Sequence, residues 1–509
     1  MSKLVGIDLG TTFSAIAVLD EIGKPEIVPN EDGERITPSA VLFPEDEPGK
    51  ALVGDVALKA VAYRPDRVIK NVKQQMGDET EFAIDGARYT PQQISSFILK
   101  KLKQDASLVK GDIEKAVITV PANFRESARK ATMDAGQLAG LEVSHIINEP
   151  TAAALYYASI TDVSGRVLIY DLGGGTFDVT VADVRDKNVE VVASLGDRHL
   201  GGSDFDRKLL EMFQDRHEKE YGSPLYRSED EALRFLADAE DLKRMLSKRE
   251  RGRIMLNGSN GPFKVELARQ EFEEMISAHI AKTTTLIDGV LDEAECTAAH
   301  ISQVLLVGGS SRIPYVEKTL TRIFGKEPTR AVNVDEAVAL GAALYAGMRD
   351  PQALNAAQSS AMSRIQLTDV CSNYYGTLSI DANHTTGRYE TVNSIILQKN
   401  TPLPCSNKET FCTTGDGQTQ IECTVTQSQF PETDPEFVNV LDKALFRDLP
   451  PGRPAGRPIE VTFSYDRNER MHCVFLDVES GKKHEATLCP KGAGDAEAQK
   501  RDVVDFIVE

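Results

Sequence analysis

The stretch Val167-Leu-Ile-Tyr-Asp-Leu-Gly-Gly-Gly-Thr-Phe-Asp-Val-Thr-Val181 decides how the rest of the chain is read. Runs of β-branched and apolar residues flank Asp171-Leu172-Gly173-Gly174-Gly175-Thr176, the pattern of a buried strand, a tight glycine turn and a returning strand. Consecutive glycines leave backbone N–H groups uncovered by any Cβ, so such a turn can lie flat against phosphate oxygens. Asp171 ends the first strand and Asp178 starts the second, which puts two carboxylates at one mouth. Carboxylates repel bare phosphate, so the arrangement suits a phosphate that carries magnesium.

The same device opens the chain. Leu4-Val5-Gly6-Ile7-Asp8-Leu9-Gly10-Thr11-Thr12 is an apolar strand, then Asp-Leu-Gly, then two hydroxyl residues, and the apolar run Ala15 to Leu19 returns. One glycine turn between strands is ordinarily only a turn. Two copies far apart in sequence predict two similar lobes facing each other across a cleft, each presenting a hairpin and an Asp.

Composition sets outer limits. A chain of 509 residues, 41% hydrophobic and 27% charged, is long enough for at least two domains. A net charge of −20 argues against nucleic acid as the main partner. The N-terminal residues run directly into a strand without the parts of a signal peptide, and no apolar run approaches the ~20 residues that cross a bilayer. A cytoplasmic protein without a membrane partner is therefore expected. Cys371, Cys405, Cys412, Cys423, Cys473 and Cys489 crowd the last third of the chain, and none forms a Cys-x-x-Cys pair. They read as small apolar strand residues rather than zinc ligands, and a redox pair has no support.

Residues 1–348 alternate strand and long helical patterns, the mark of an α/β architecture. Ile94, Phe97, Ile98 and Leu102 define one face of a helix over 91–105. A strand over 116–120 ends at Pro121, a helix over 127–139 follows, and Asn148-Glu149 then sets a carboxylate between an apolar strand and an alanine-rich helix. In the charged helix over 228–247, Glu240, Lys243, Arg244 and Ser247 share one face, which taken alone reads as a solvated surface. A third glycine turn, Gly308-Gly309, follows the strand Val304 to Val307, and it admits a flat ring over which Arg312 can stack. Val334 to Ala343 reads as a small-residue helix made for close packing, and period-two stretches from Tyr374 to Cys489 read as a β-sandwich.

Taken in order over residues 4 to 345, Ile-Asp-Leu-Gly-Thr-Thr, Val-Ile-Thr-Val-Pro-Ala, Ile-Ile-Asn-Glu-Pro-Thr-Ala-Ala-Ala, Tyr-Asp-Leu-Gly-Gly-Gly-Thr-Phe-Asp, Gly-Asp-Arg-His-Leu-Gly-Gly-Ser-Asp-Phe-Asp and Leu-Val-Gly-Gly-Ser-Ser-Arg-Ile-Pro resemble the DnaK-type heat-shock chaperones. The resemblance implies an actin-like, two-lobed ATPase of four subdomains at 1–348, a linker at 349–370 and an all-β, peptide-holding sandwich at 371–490. It makes 491–509 a short tail, the start or remnant of a lid, since Pro490 to Glu509 are too few for the family's helical lid. The function implied is ATP-driven binding and release of unfolded polypeptide, with a J-domain co-chaperone and a nucleotide exchange factor as further partners.

By the same resemblance, Asp8, Asp171 and Asp178 position magnesium, its waters and potassium. Gly10, Thr11, Thr12, Phe13 and Gly173, Gly174 and Gly175 belong to the phosphate end of the ATP or ADP pocket. Lys73 reaches the γ-phosphate, its rival Lys70 lacking the Lys-x-x-Met-Gly context, while Glu149 orients the attacking water and Thr176 points at the transferred group. Glu240 and Lys243 meet the ribose, Ser247 the base edge, and Arg244 stacks opposite Arg312. Gly201, Gly202, Gly308, Gly309, Ser310 and Asp335 complete that pocket. Ile421 lines the peptide pocket, Asn393 and Thr414 arch over the peptide, and Pro121, Arg129 and Asp369 match relay positions.

Two departures bear on coupling. Gln366 and Thr368 interrupt what in the family is an apolar linker, which predicts weaker docking. Ser144-His145 replaces a basic pair that helps receive J-domain partners, which predicts a different docking mode. The rival readings are a small-molecule kinase of the same superfamily, for which no acceptor-site motif is evident, an actin-like polymer, and a co-chaperone that binds ATP as a structural ligand.

Overall fold

Two six-stranded sheets repeat one plan. In the first, Glu142–Asn148, Ile113–Val120 and Lys3–Asp8 run parallel, and Phe13–Leu19 and then Pro25–Ile27 continue antiparallel. In the second, Thr329–Arg330, Gln303–Val307 and Gly165–Leu172 run parallel, and Phe177–Arg185 and Asn188–Asp197 continue antiparallel. Each glycine turn thus joins the middle hairpin of its own sheet, and the two-copy reading of the sequence has a topological counterpart. This is a computed structural model describing residues 3–162, 164–258, 260–330, 333–382, 389–466, 471–488, 503 and 506–509.

The helices Glu149–Ile160 and Ala337–Arg349 bring the two plans together. Both are alanine-rich and buried nearly all round, and they share one core with Val117 and Ile147 of the first sheet and Val167, Ile169 and Leu305 of the second. The approach is possible only for small residues. A Cβ on Gly341 would sit 1.8 Å from the Ala152 carbonyl oxygen, and one on Gly6 2.1 Å from the Ala343 nitrogen.

The chain divides into two compact units, one of residues 1–124, 131–367 and 492–509 and the other of residues 125–130 and 368–491. The first unit runs past the expected boundary at 348. Asn355 caps the helix Ala356–Met362, Met362 and Ile365 are buried in the core between the sheets, and Gln366–Thr368 lies at the edge of the second sheet. Most of what reads as a polar linker is therefore part of the α/β unit, anchored by the few apolar residues the alanine-rich stretch contains.

A small sheet of Ile507–Val508, Lys50–Val53, Ala40–Leu42 and Val68–Lys70 also belongs to the first unit. Its first strand comes from the short tail expected at 491–509: residues 507–508 are extended and hydrogen-bonded to Lys50–Val53. The lid expectation for 491–502 lies outside the described residues. Apart from the helical residues 126–130, the second unit is built on two sheets, in the orders Tyr389–Leu397, Tyr374–Ala382, Ile421–Ser428, Asn439–Phe446 and Cys405–Cys412, Pro458–Tyr465, Met471–Asp477, Lys483–Leu488. Both sheets contribute to one core through Tyr375, Ile396 and Val425 on one side and Val461, Phe463 and Phe475 on the other. Among the described residues the cysteines are free, and no helix is long and apolar enough to cross a membrane.

Candidate functional site

A cleft of about 1050 Å³ in the first unit is lined by both hairpins. Asp8, Gly10, Thr11, Thr12 and Phe13 come from the first, and Asp171, Gly173, Gly174 and Thr176 from the second. The glycines are required where the hairpins meet. A Cβ on Gly174 would lie 2.0 Å from the Thr12 hydroxyl, and a Cβ on Gly201 2.5 Å from the Gly175 nitrogen. Gly201 and Gly202 therefore pack behind the turn rather than line the opening, and Gly202 N–H donates to the Gly173 carbonyl at 3.0 Å.

Lys73 enters from a short turn. Val68–Lys70 leads to Asn71 in left-handed conformation, and the 3₁₀ turn Val72–Gln75 then carries Lys73 inward, where it donates to Glu149. Both side chains are buried, Lys73 being 3% and Glu149 7% exposed. Glu149 stands at the first turn of its helix, next to Pro150. Lys70, the rival lysine, lines the same cleft farther out and is only half-buried.

Four carboxylates, Asp8, Glu149, Asp171 and Asp178, share this region with Lys73. Burial, helped by Glu149 and opposed by Lys73, pushes Asp8 up to about 7, with Thr119 donating to its Oδ1 at 3.1 Å. Asp171 and Asp178 face each other across the hairpin ladder. Burial and then the Glu149 charge hold both well above the usual carboxylate range. Burial works to depress the Lys73 ammonium, but Glu149, Asp8 and Asp171 together hold it above its ordinary value. Asp178 Oδ1 is buried without a hydrogen-bond partner among the described residues. A buried carboxylate oxygen in that state fits a cation or a water as its partner. Among the described residues no three His, Cys, Asp or Glu side chains converge closely enough to hold a metal directly.

The other end of the cleft is lined by Glu240, Lys243, Arg244 and Ser247 of the helix Glu229–Lys248 and by Gly308, Gly309, Ser310, Arg312 and Asp335. The Arg244 guanidinium lies 5.4 Å from the Phe13 ring centroid and donates to Glu240 at 2.6 Å. Arg312 donates to Asp335 at 2.6 Å. Lys243 is held by the Gly202 carbonyl and by Asp206, each at 2.8 Å. Ser247 turns its hydroxyl to the Lys243 carbonyl. Gly308 has φ 77°, and a Cβ there would lie 2.6 Å from Asp171 Oδ1.

Sequence reasoning missed three residues of this site. Asp206 clamps Lys243, Gln74 donates to the Gly175 carbonyl at 3.0 Å, and Thr119 supports Asp8. Their partners are remote in sequence, and the only local signal was the Asp-Phe-Asp end of the motif that contains Gly201 and Gly202.

In the second unit the three residues expected to contact peptide have different surroundings. Ile421 is half-buried against the sandwich core, opposite Phe446. Thr414 is exposed, its N–H donating to Gln418 at 2.9 Å. Asn393 is 3% exposed, accepts from Thr426 at 2.5 Å and donates to the Glu432 carbonyl at 2.7 Å, so its side chain is hydrogen-bonded inside the unit. Of the expected relay positions, Pro121 is buried at the end of its strand, Arg129 is fully buried, and the Asp369 carbonyl accepts from Leu403 N–H at 2.8 Å.

Comparison with known proteins gives the following. The family model described as "Hsp70 protein" matches residues 4–84 and 78–505. The chain is 40% identical over 516 aligned residues to the "Chaperone protein DnaK" of Thermotoga neapolitana, covering 99% of this chain and 83% of that protein. It is 39% identical to the proteins of the same name from Thermotoga petrophila and Thermotoga maritima, with the same coverage.

Proposed function

The chain belongs to the Hsp70 family of ATP-hydrolysing chaperones, and from that premise we propose that its cleft hydrolyses ATP in order to set how tightly its sandwich holds extended polypeptide. The two repeated sheets are read as the lobes of an actin-like, four-subdomain ATPase. The observation that carries the proposal is the cleft itself, where two glycine hairpins meet around buried carboxylates and Lys73.

Thr11, Thr12 and the backbone N–H groups of Gly173 to Gly175, with Gly10 beside them, grip the phosphates. Lys73 offsets the negative charge of the γ-phosphate. Glu149, already oriented by Lys73, aligns the attacking water, with Thr176 beside the transferred group. Asp8, Asp171 and Asp178 would hold magnesium and potassium when these ions are bound. Magnesium, when bound, supplies the positive charge that lets a polyphosphate sit among carboxylates. Phe13, Arg244 and Arg312 flank the adenine, with Ser247 at its edge. Glu240 and Lys243 reach the ribose once Lys243 exchanges a partner. Gly308, Gly309, Ser310 and Asp335 form the floor. Catalysis of this kind is positioning and charge compensation, so each group contributes through where it is held.

The partners proposed are unfolded polypeptide at Ile421 and Thr414, a J-domain co-chaperone whose docking differs because of Ser144-His145, and a nucleotide exchange factor. Pro121, Arg129 and Asp369 are proposed to relay the nucleotide state, which requires different peptide affinities in the two states. Steady-state ATP turnover with and without an extended peptide tests the reading. Turnover in the wild-type chain rises with peptide, and Asp171→Ala and Lys73→Ala each abolish the rise; unchanged turnover in both variants removes the assignment.

A further inference from the structure

The edge of the small sheet carries a ligand that the ATPase reading does not use. Ile507–Val508 runs parallel to Lys50–Val53. Ile507 N–H donates to the Gly49 carbonyl at 3.0 Å, Glu509 N–H to the Ala51 carbonyl at 3.1 Å, and Val53 N–H to the Glu509 carbonyl at 2.8 Å. Side chains along a strand alternate, and these do: Val508 is buried while Ile507 is 62% exposed. Phe506 stands at the head of the strand against three rings, with centroids 5.1 Å from Phe97, 6.1 Å from Phe43 and 6.1 Å from Tyr89. The Lys100 ammonium takes the Phe506 carbonyl at 2.8 Å, and Lys50 pairs with the Glu509 carboxylate at 2.7 Å.

This combination is that of a peptide-recognition groove. Main-chain bonds to a sheet edge supply affinity, and side-chain pockets supply choice. We infer that the edge of Lys50–Val53, with the pocket of Phe43, Tyr89 and Phe97 and the cation of Lys100, is a binding site for an extended segment of the pattern aromatic, any residue, aliphatic, acidic. Its occupant is the chain's own Phe506-Ile507-Val508-Glu509. The specificity follows from the contacts: an aromatic residue fills the three-ring pocket, an aliphatic residue two positions on lies against the sheet, and an acidic residue meets Lys50. A sheet edge left without that segment would present unpaired backbone groups of Gly49, Ala51 and Val53, which is the situation strand addition removes. A segment held in the same chain competes at an effective concentration on the order of millimolar, so a partner with the same pattern reaches the groove only when the tail yields it.

The test uses a fluorescein-labelled peptide of residues 503–509 and the full chain. Its anisotropy is read against wild type and against a variant whose own tail is disabled, Phe506→Ala with Val508→Asp. The inference predicts that the tail-disabled chain binds the peptide at least about tenfold more tightly than wild type, because the competing tail is gone. It further predicts that the gain disappears when Lys100→Glu is added, and when the peptide itself carries Phe506→Ala. Because the sandwich unit also takes extended peptides in the reading above, Lys100→Glu separates the two sites. Equal binding by wild type and the tail-disabled chain, a gain that survives Lys100→Glu, or no binding to either chain overturns the inference.

Discussion

The two units bury polar groups in opposite ways. In the α/β unit, Asp8, Glu149, Asp171 and Asp178 lie around Lys73; burial and the neighbouring carboxylates hold Asp8, Asp171 and Asp178 above the usual carboxylate range, and Asp178 Oδ1 has no partner among the described residues. In the sandwich, Asp477 is fully buried yet accepts from Arg453 at 3.0 and 2.7 Å and from Ser480 at 2.7 Å, which holds its carboxyl below the usual range despite burial. Thr377, Asn393, Thr424 and Thr426 likewise satisfy one another or nearby backbone, with Thr377 donating to the Thr424 carbonyl at 2.7 Å and Thr424 accepting from Leu378 N–H at 2.8 Å. A folded core ordinarily pairs what it buries. Asp477 and the threonine and asparagine cluster of the sandwich follow that rule, although Asn373 Nδ2 is buried there without a partner among the described residues, and the cleft departs from it where a charged ligand belongs.

The contrast can be broken at several points. The largest effect is expected from Lys73→Ala, which leaves four carboxylates without their nearest cation; single-turnover ATP hydrolysis should fall by about 100-fold or more. A loss under tenfold would mean that the cluster is structural. Arg453→Met should cost the sandwich about 3 kcal/mol, because the buried Asp477 then keeps the Ser480 hydroxyl and the Glu479 N–H but loses its cation, while basal ATP turnover stays unchanged. Urea unfolding followed in the full chain measures it through the transition assigned to that unit. Thr426→Val should cost about 1–2 kcal/mol in the same experiment, since Asn393 Oδ1 loses its hydroxyl donor. The sandwich should also weaken in acid. Asp477 has a lowered folded pKa, so its contribution is complete above the unfolded carboxylate value of about 4 and is lost as pH falls through the lower folded value. In the Arg453→Met variant that acid-dependent loss should shrink, and a profile identical to wild type would contradict the pairing. The smallest effect belongs to Arg244→Ala, whose guanidinium is half-exposed over Phe13; ADP affinity should drop a few-fold, corresponding to about 0.5–1 kcal/mol.

How far the sequence could be read follows from the same physics. The hairpins were legible because a buried strand, a glycine turn and a carboxylate are all local, and the stripe Glu240, Lys243, Arg244 and Ser247 because helical spacing is local too. Two strands of the sandwich, Cys405–Cys412 and Asn439–Phe446, gave no period-two signal. Each is an edge strand of its sheet, Cys405–Cys412 largely exposed and Asn439–Phe446 mostly half-buried on both faces, so alternation has little to act on. Asn393 is polar in a strand, which reads as surface until its partner Thr426, on another strand, is known. Asp206, Gln74 and Thr119 were missed for the same reason. The strand Ile507–Val508 is two residues long and pairs with Lys50–Val53, so no local pattern announces it. The polar stretch after Arg349 reads as linker because its buried residues, Met362 and Ile365, are few.

The central claim is that the buried carboxylates make the cleft a site for nucleotide only together with a divalent cation. Calorimetric titration of ADP into the full chain, with magnesium and again with magnesium chelated, addresses it directly. The account predicts that affinity falls by at least about tenfold without magnesium, since polyphosphate must then sit among unscreened carboxylates. Equal affinity under the two conditions would contradict it.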